Sequence, residues 1–221
     1  MKDIPIYTGN GGIATLILKE IPYKKAAYVL IRSLEFDKTK LFLGQCWEFC
    51  KSVGAQHVYV SGREPIPGLP YLYDLLRLRR PAEIPLPSDR VFLEPVTKQT
   101  AKDYAELYQK LFSSFPGAAT YTEQKVQEIV QRSGIFFAIE GKKTIGIGEL
   151  WDQEIRCIGV LSGYRGKGTA LLASLLEKVE GDAWLEVASN NLLARKLYEK
   201  LGFCEEQILS HWYCLDSVFK E

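Results

Sequence analysis

The chain has 221 residues, enough for one domain or two at roughly 100–200 residues each. Hydrophobic residues make up 47% and charged residues 25%, which excludes disorder over most of the length. Lys and Arg total 28 and Asp and Glu total 27, so the net charge of +1 lacks the basic excess of a general nucleic-acid binder. The longest apolar stretches, such as 26–31, are strand-sized and far short of the roughly 20 residues that span a bilayer. Residues 1–5 carry no apolar core of a secretory signal, so a cytoplasmic protein with no membrane or nucleic-acid partner is expected.

Strands are expected near 15–19 and 27–33, then a helix over 41–53 and a further strand up to 60. Cys46 and Cys50 sit four apart on that helix. A zinc site would need more ligands, and the chain has only His57 and His211 and no second close cysteine pair. Small buried hydrophobes are the better reading of the pair, and no metal is expected. The odd count of five cysteines argues against a disulfide framework.

Prolines at 65, 67 and 70 break regular structure, and three more follow at 81, 85 and 87. Between them, 71–80 reads as a strand or a short helix. The stretch 81–90 is the best linker, which gives a small α/β unit over 1–80 and a complete domain over 91–221. In that domain a strand over 91–96 precedes a helix over 102–111, with Tyr104, Leu107, Tyr108 and Leu111 on one stripe. Thr122 is a plausible cap for a helix over 122–132. Strands over 135–140, 144–151 and 154–161 are joined by short turns. A glycine-rich loop, a helix over 170–179, a strand over 184–187 and a helix over 191–201 follow. Two short strands, 204–208 and 211–215, end the chain. Hairpins followed by alternating helices and strands predict a mixed α/β sheet.

The first unit echoes the second at a constant offset of 127 residues. The run 54–60 lies on 181–187, and 41–53 lies on 168–180. Identity is low, so a partial repeat and a chance likeness of two strand–helix–strand units both stand. Where the second unit has its glycine loop, the first has Asp37-Lys38-Thr39-Lys40-Leu41.

That loop carries the chemistry. The segment 154–170 runs from strand through loop to helix start. A helix N-terminus offers free N–H groups and a positive dipole end, which suit phosphate when the backbone can come close. Gly166, Gly168 and the small Ala170 allow the approach, and Arg165 and Lys167 add charge or are simply solvated. Neither the Walker pattern nor G-x-G-x-x-G is present.

Arg165-x-x-Gly168-x-Ala170 resembles the R/Q-x-x-G-x-G/A signature of the GCN5-related N-acetyltransferases (GNAT). Asn191-x-x-Ala194-x-x-Leu197-Tyr198-Glu199-Lys200-Leu201-Gly202-Phe203 looks like that family's second signature. The resemblance covers roughly 91–215, and departs at Ser162-Gly163, where the family often has Asp-Pro. It implies the acyl-CoA N-acyltransferase fold; on the repeat reading of the 127-residue offset, the first unit is a degenerate half of that kind. It also implies transfer of an acetyl group from acetyl-coenzyme A to a primary amine, on a small molecule or a peptide, by a monomer or homodimer. In the family the pantetheine arm lies where two central strands splay. On that resemblance the backbones of Ile158 and Val160 pair with the arm, and the Val160 N–H meets the thioester oxygen. Residues Arg165, Gly166, Lys167, Gly168, Thr169 and Ala170 hold the pyrophosphate, and Asn191 touches the arm or caps its helix. Tyr198 takes the place of the family's usual proton donor, or else packs in the core. Glu154 is the candidate base. It lies six residues before Val160, and strand alternation would set both on one face. Glu149 and Glu186 are its rivals. The other readings are a non-catalytic acyl-CoA-binding or interaction protein on the same fold, and transfer to a hydroxyl or of a longer acyl chain.

Overall fold

The computed structural model describes residues 5–131 and 134–219. The start of the chain, from which the absence of a leader is expected, and Arg132, the expected end of the helix from 122, lie outside them. In chain order the strands are β1 (Ile6–Gly9), β2 (Gly12–Ile17), β3 (Ala26–Leu34), β4 (His57–Gly62), β5 (Tyr71–Arg80), β6 (Phe92–Pro95), β7 (Gly134–Glu140), β8 (Lys143–Trp151), β9 (Glu154–Val160), β10 (Ala183–Ala188) and β11 (Cys204–Cys214). The helices are α1 (Ile21–Lys24), α2 (Thr39–Ser52), α3 (Ala101–Phe112), α4 (Glu123–Ile129), α5 (Gly168–Leu176), α6 (Leu192–Lys200) and α7 (Asp216–Phe219).

Two compact units result. The first takes Met1–Leu76, Ala188–Asn190 and Ile208–Glu221, and the second takes Arg77–Val187 and Asn191–Gln207. The division therefore falls inside β5, not in 81–90. The physical reason is that the proline-rich stretch is held within the second unit. The Ala82 N–H donates to Asp182 Oδ1 at 2.9 Å, and Arg80 Nε donates to the Leu201 carbonyl at 2.7 Å. The expected break between 204–208 and 211–215 is also absent. No glycine, proline or asparagine interrupts Ile208-Leu209-Ser210, and β11 runs through it.

Within the first unit the strand order is β1-β2-β3-β4-β11. The β1–β2 hairpin turns on Asn10-Gly11, where Gly11 takes a φ of 105° that suits glycine. β3 and β4 are parallel and paired from Ala26↔His57 to Leu30↔Ser61. The core forms under α2, whose Phe42, Leu43, Cys46 and Cys50 meet Ala27, Val29, Val58, Val60 and Leu215. Burial pushes both the Cys46 and the Cys50 thiols up to about 12, so they pack as apolar groups.

Within the second unit the order is β5-β10-β9-β8-β7-β6. α3 turns Ala101, Tyr104, Ala105 and Tyr108 inward, so Tyr104 and Tyr108 of the expected stripe are buried, while Leu107 and Leu111 pack half-buried beside them. Thr122 caps α4, its hydroxyl accepting from the Lys125 N–H at 3.2 Å. α5 is buried along Ala170–Leu176, and a Cβ on Gly148 would meet Leu175 Cδ1 at 2.8 Å, so the helix seats directly on the sheet.

α7 is fastened to the first unit by one buried carboxylate. Asp216, 6% exposed, receives Lys51 Nζ at 3.0 Å, His57 Nδ1 at 3.1 Å and Trp47 Nε1 at 3.4 Å. Burial opposes its charge, yet the Lys51 and His57 hydrogen bonds outweigh it and hold the carboxyl below its ordinary value. A depressed carboxyl contributes stability that is present above its unfolded value, about 3.9, and lost as pH falls through the folded one. Asp216→Asn should therefore lower stability at pH 7 by about 1–3 kcal/mol. Urea titrations of both proteins should show the gap narrowing as pH drops below about 4. A gap constant with pH would assign the effect to packing.

Candidate active site

The parallel pairing of β9 with β10 covers only Trp184↔Glu154 and Leu185↔Ile155. On its other edge β9 pairs with β8 all the way to Val160. From Arg156 onward β9 thus has one paired edge and one open edge. The Leu161 N–H donates to the Ile145 carbonyl at 2.8 Å, toward β8. Alternation of strand hydrogen bonds then turns the N–H and C=O of Val160, and of Ile158 before it, to the open side. Backbone groups of this kind need a partner, from water or a ligand.

The loop that follows is a 3-10 turn over Ser162–Tyr164, then Arg165 and Gly166, then α5. Gly166 has a φ of 96°, and a Cβ there or at Gly163 would meet nothing within 4 Å. The space above this backbone is open. α5 begins at Gly168 with no side-chain cap, and Leu171 is the first of its residues whose N–H reaches back, to Lys167 O at 3.0 Å. The N–H groups of Gly168, Thr169 and Ala170 precede that bond and point out of the helix start. Arg165 is exposed. Lys167 is not simply solvated: its Nζ lies 2.5 Å from Glu140 Oε1.

Asn191 is the cap of α6, its Oδ1 accepting from the Ala194 N–H at 3.3 Å. Tyr198 lies on the same helix, 7% exposed, with its ring 5.9 Å from that of Phe203. Burial raises its phenol above the ordinary value, with Cys157 adding a smaller effect. The group therefore holds its proton at neutral pH.

The carboxylates fall differently from the expected arrangement. The β8–β9 register passes from Glu149↔Cys157 to Leu150↔Ile155, so Arg156 is an extra residue on β9. This bulge breaks the alternation on which the Glu154 and Val160 pairing rested. Glu154, opposite Trp151, shares a face with Glu149 and Cys157, while Val160, opposite Gly146, lies on the other face. The alternation argument for Glu154 is thereby corrected; Glu154 lies opposite Trp184, just before β9 and β10 part. Its carboxyl is raised chiefly by burial and is also pushed up by Glu186 and Glu149, while Arg156 at 3.5 Å and Arg77 oppose this. Glu186 itself pairs with Arg77 at 3.2 Å.

Glu149 is fully buried. Its Oε2 accepts from the Tyr121 hydroxyl at 2.8 Å, and Oε1 has no hydrogen-bond partner among the described residues. Burial raises its carboxyl against the pull of Tyr121 and Arg156. Tyr121 in turn stacks on Tyr108 with centroids 4.1 Å apart and planes at 9°. Tyr104 and Tyr108 are core residues, whereas Phe115 is exposed. Period two from Ile145 and Ile147 already sets Glu149 on the core face, a signal present in the sequence.

Residues 101–203 match the Acetyltransferase (GNAT) family. This segment belongs to the GNAT family. No curated protein matches the chain significantly. A conserved protein of unknown function from Staphylococcus epidermidis is similar in fold, with a TM-score of 0.63 at 15% identity over 97% of this chain and 94% of that one. A GCN5-related N-acetyltransferase from Sphaerobacter thermophilus gives 0.55 at 15% identity, over 92% and 75%. A tandem GNAT protein from the clavulanic acid biosynthesis pathway gives 0.53 at 12%, over 96% and 82%. At such identities the likeness is one of fold: the mixed α/β architecture is that of GNAT acetyltransferases. Among the described residues, no helix is long and apolar enough to cross a membrane.

The burial of Glu149 has a pH consequence. A carboxyl raised in the folded state favours folding below its unfolded value, about 4.3, and loses that advantage as pH rises through the folded one. Glu149→Gln, which cannot ionise, should gain stability relative to the natural protein as pH rises above the unfolded carboxyl value of about 4.3. Paired thermal melts from below that pH upward measure it, and curves that stay parallel throughout would show that Glu149 is not raised.

Proposed function

We propose that the second unit transfers an acetyl group from acetyl-coenzyme A to a primary amine by direct attack. The observation that carries this reading is the open edge of β9, which leads directly to the uncapped start of α5. The residues present fit acetyl-coenzyme A. The open backbone at Gly163 and Gly166 leaves room for a pyrophosphate, and Arg165 supplies positive charge, as Lys167 would on leaving Glu140. The free edge at Ile158 and Val160 suits the amides of a pantetheine arm, added like a strand.

In this mechanism the Val160 N–H faces the thioester oxygen and stabilises the negative charge that grows there. The amine must first lose a proton, and Glu154, at the fork, is the proposed acceptor. A raised carboxyl is a stronger base than an ordinary one, which favours that role. The amine lone pair then bonds to the carbonyl carbon and the carbon–sulfur bond breaks. Tyr198, which keeps its proton at neutral pH, gives that proton to the departing thiolate. Asn191 holds the start of α6, and with it the helix that carries Tyr198. The acceptor is a small-molecule or peptide amine.

A thiol-release screen with acetyl-coenzyme A over small amines, polyamines, aminoglycosides and peptide N-termini tests the reaction. Binding of coenzyme A without any acceptor would favour the non-catalytic reading. Tyr198→Phe should lower kcat by about 10²–10⁴ with KM for acetyl-coenzyme A little changed. Natural rates in that variant would reassign Tyr198 to packing.

Calorimetry should count one coenzyme A per chain. In the first unit β3 and β4 pair at five positions, not two, and α2 opens on Lys38-Thr39-Lys40 without glycine. Gly168→Glu, which places a carboxylate at the helix start, should abolish binding. Two sites per chain, or an unaffected variant, would refute this assignment.

A further inference from the structure

The first unit has its own opening. Pairing of β3 with β4 ends at Leu30↔Ser61, and both strands continue beyond it. The gap holds a cavity of about 390 Å³ lined by Ile31–Leu34, Phe36 and Gly62–Ile66. That volume lies within the range of small-ligand sites, roughly 300–1,000 Å³. The place is also where ligands collect on parallel strands, beyond their carboxyl ends.

The chemistry of the lining is specific. Ile31, Leu34, Pro65 and Ile66 supply apolar wall, and Phe36 stands at the rim, 70% exposed. An exposed phenylalanine beside a cavity is apolar surface without cover. Two arginines are among the lining residues. Arg32 is the bulged residue of β3, between the pairs Ile13↔Ser33 and Ala14↔Ile31, and its Nε donates to Thr15 Oγ1 at 3.0 Å. Arg63 follows β4 and is exposed. Neither arginine has a carboxylate within salt-bridge distance among the described residues, and Glu64 is the single acid in the lining. The lining thus has an excess of one positive charge beside apolar walls. A planar guanidinium presents paired N–H donors that match a carboxylate in a bidentate fashion.

We propose that this cavity binds a small carboxylate with an apolar tail, the tail against Ile31, Ile66 and Phe36 and the carboxylate on Arg63 and Arg32. The proposal does not depend on acetyl transfer by the second unit. The probe is 4-phenylbutyrate, with 4-phenylbutanamide as its uncharged counterpart, titrated into the full chain and followed by amide chemical shifts. Expected are saturable shifts confined to 31–36 and 62–66, and weak or no binding of the amide. Arg63→Gln, at an exposed position that leaves the fold alone, should weaken the carboxylate by roughly tenfold or more. Saturating coenzyme A should not displace it. Equal binding of acid and amide, an undiminished Arg63→Gln variant, displacement by coenzyme A, or no saturable shift at millimolar probe would each overturn the proposal.

Discussion

An unpaired backbone edge governs this molecule. β9 gives its N–H and C=O groups to β8 on one side and, after two residues, to no strand on the other. Buried peptide groups without partners are costly, so such an edge persists only where something else can satisfy it. The neighbouring features serve the same end. Gly163 and Gly166 keep side chains away from the space above the loop, and α5 begins without a cap, its first N–H groups free. The proposed chemistry needs little beyond this: a groove that takes an extended polar chain, ending at a site for phosphate.

The two units show how far pairing decides the outcome. Their strand–helix–strand segments keep the same backbone punctuation 127 residues apart. Lys25 and Asp152, the non-glycine residues with positive φ among those described, have values of 54° and 51°. Gly54 and Gly181 have values of 98° and 86°. Leu43 and Ala170, and Cys46 and Ala173, are buried pairs at the same offset. Yet β3 and β4 stay together for five pairs, so the opening in the first unit is displaced toward the strand ends. There it meets apolar side chains and two arginines, not glycines and a helix start.

Legibility in the sequence followed the strength of the local signal. The stripes of α3 and the cap at Thr122 were readable because helical period and capping chemistry are local. The glycine loop and α6 were readable because the residues that make them are also the motif. The β1–β2 hairpin went unread although Asn10-Gly11 marks it, since the flanking strand is only four residues long. β5 was ambiguous because Tyr71–Arg80 mixes leucine and arginine without a clean period. The unit boundary was not legible at all. It depends on where this stretch is held, the Ala82 N–H on Asp182 and the preceding Arg80 guanidinium on the Leu201 carbonyl, about a hundred residues away. The bulge at Arg156 was equally hidden. No glycine or proline marks it, and it reverses the facing of every residue beyond it, which is how Glu154 and Val160 came apart.

That reversal gives the open site its electrostatic character. With Val160 turned to the other face, the face of Cys157 gathers Glu149 and Glu154, both with raised carboxyls. Burial is the leading cause for each, and their mutual repulsion raises Glu154 further. Glu149 keeps one oxygen on Tyr121 and is sealed from solvent, which makes it the more permanent member. Glu154, part-buried and 3.5 Å from Arg156, is the more accessible of the two, which is why the proposed mechanism gives it the amine proton. The bulge that defeats the simple alternation argument therefore sets both carboxylates on one face of the sheet and the Val160 side chain on the other, while the Val160 backbone keeps its open edge.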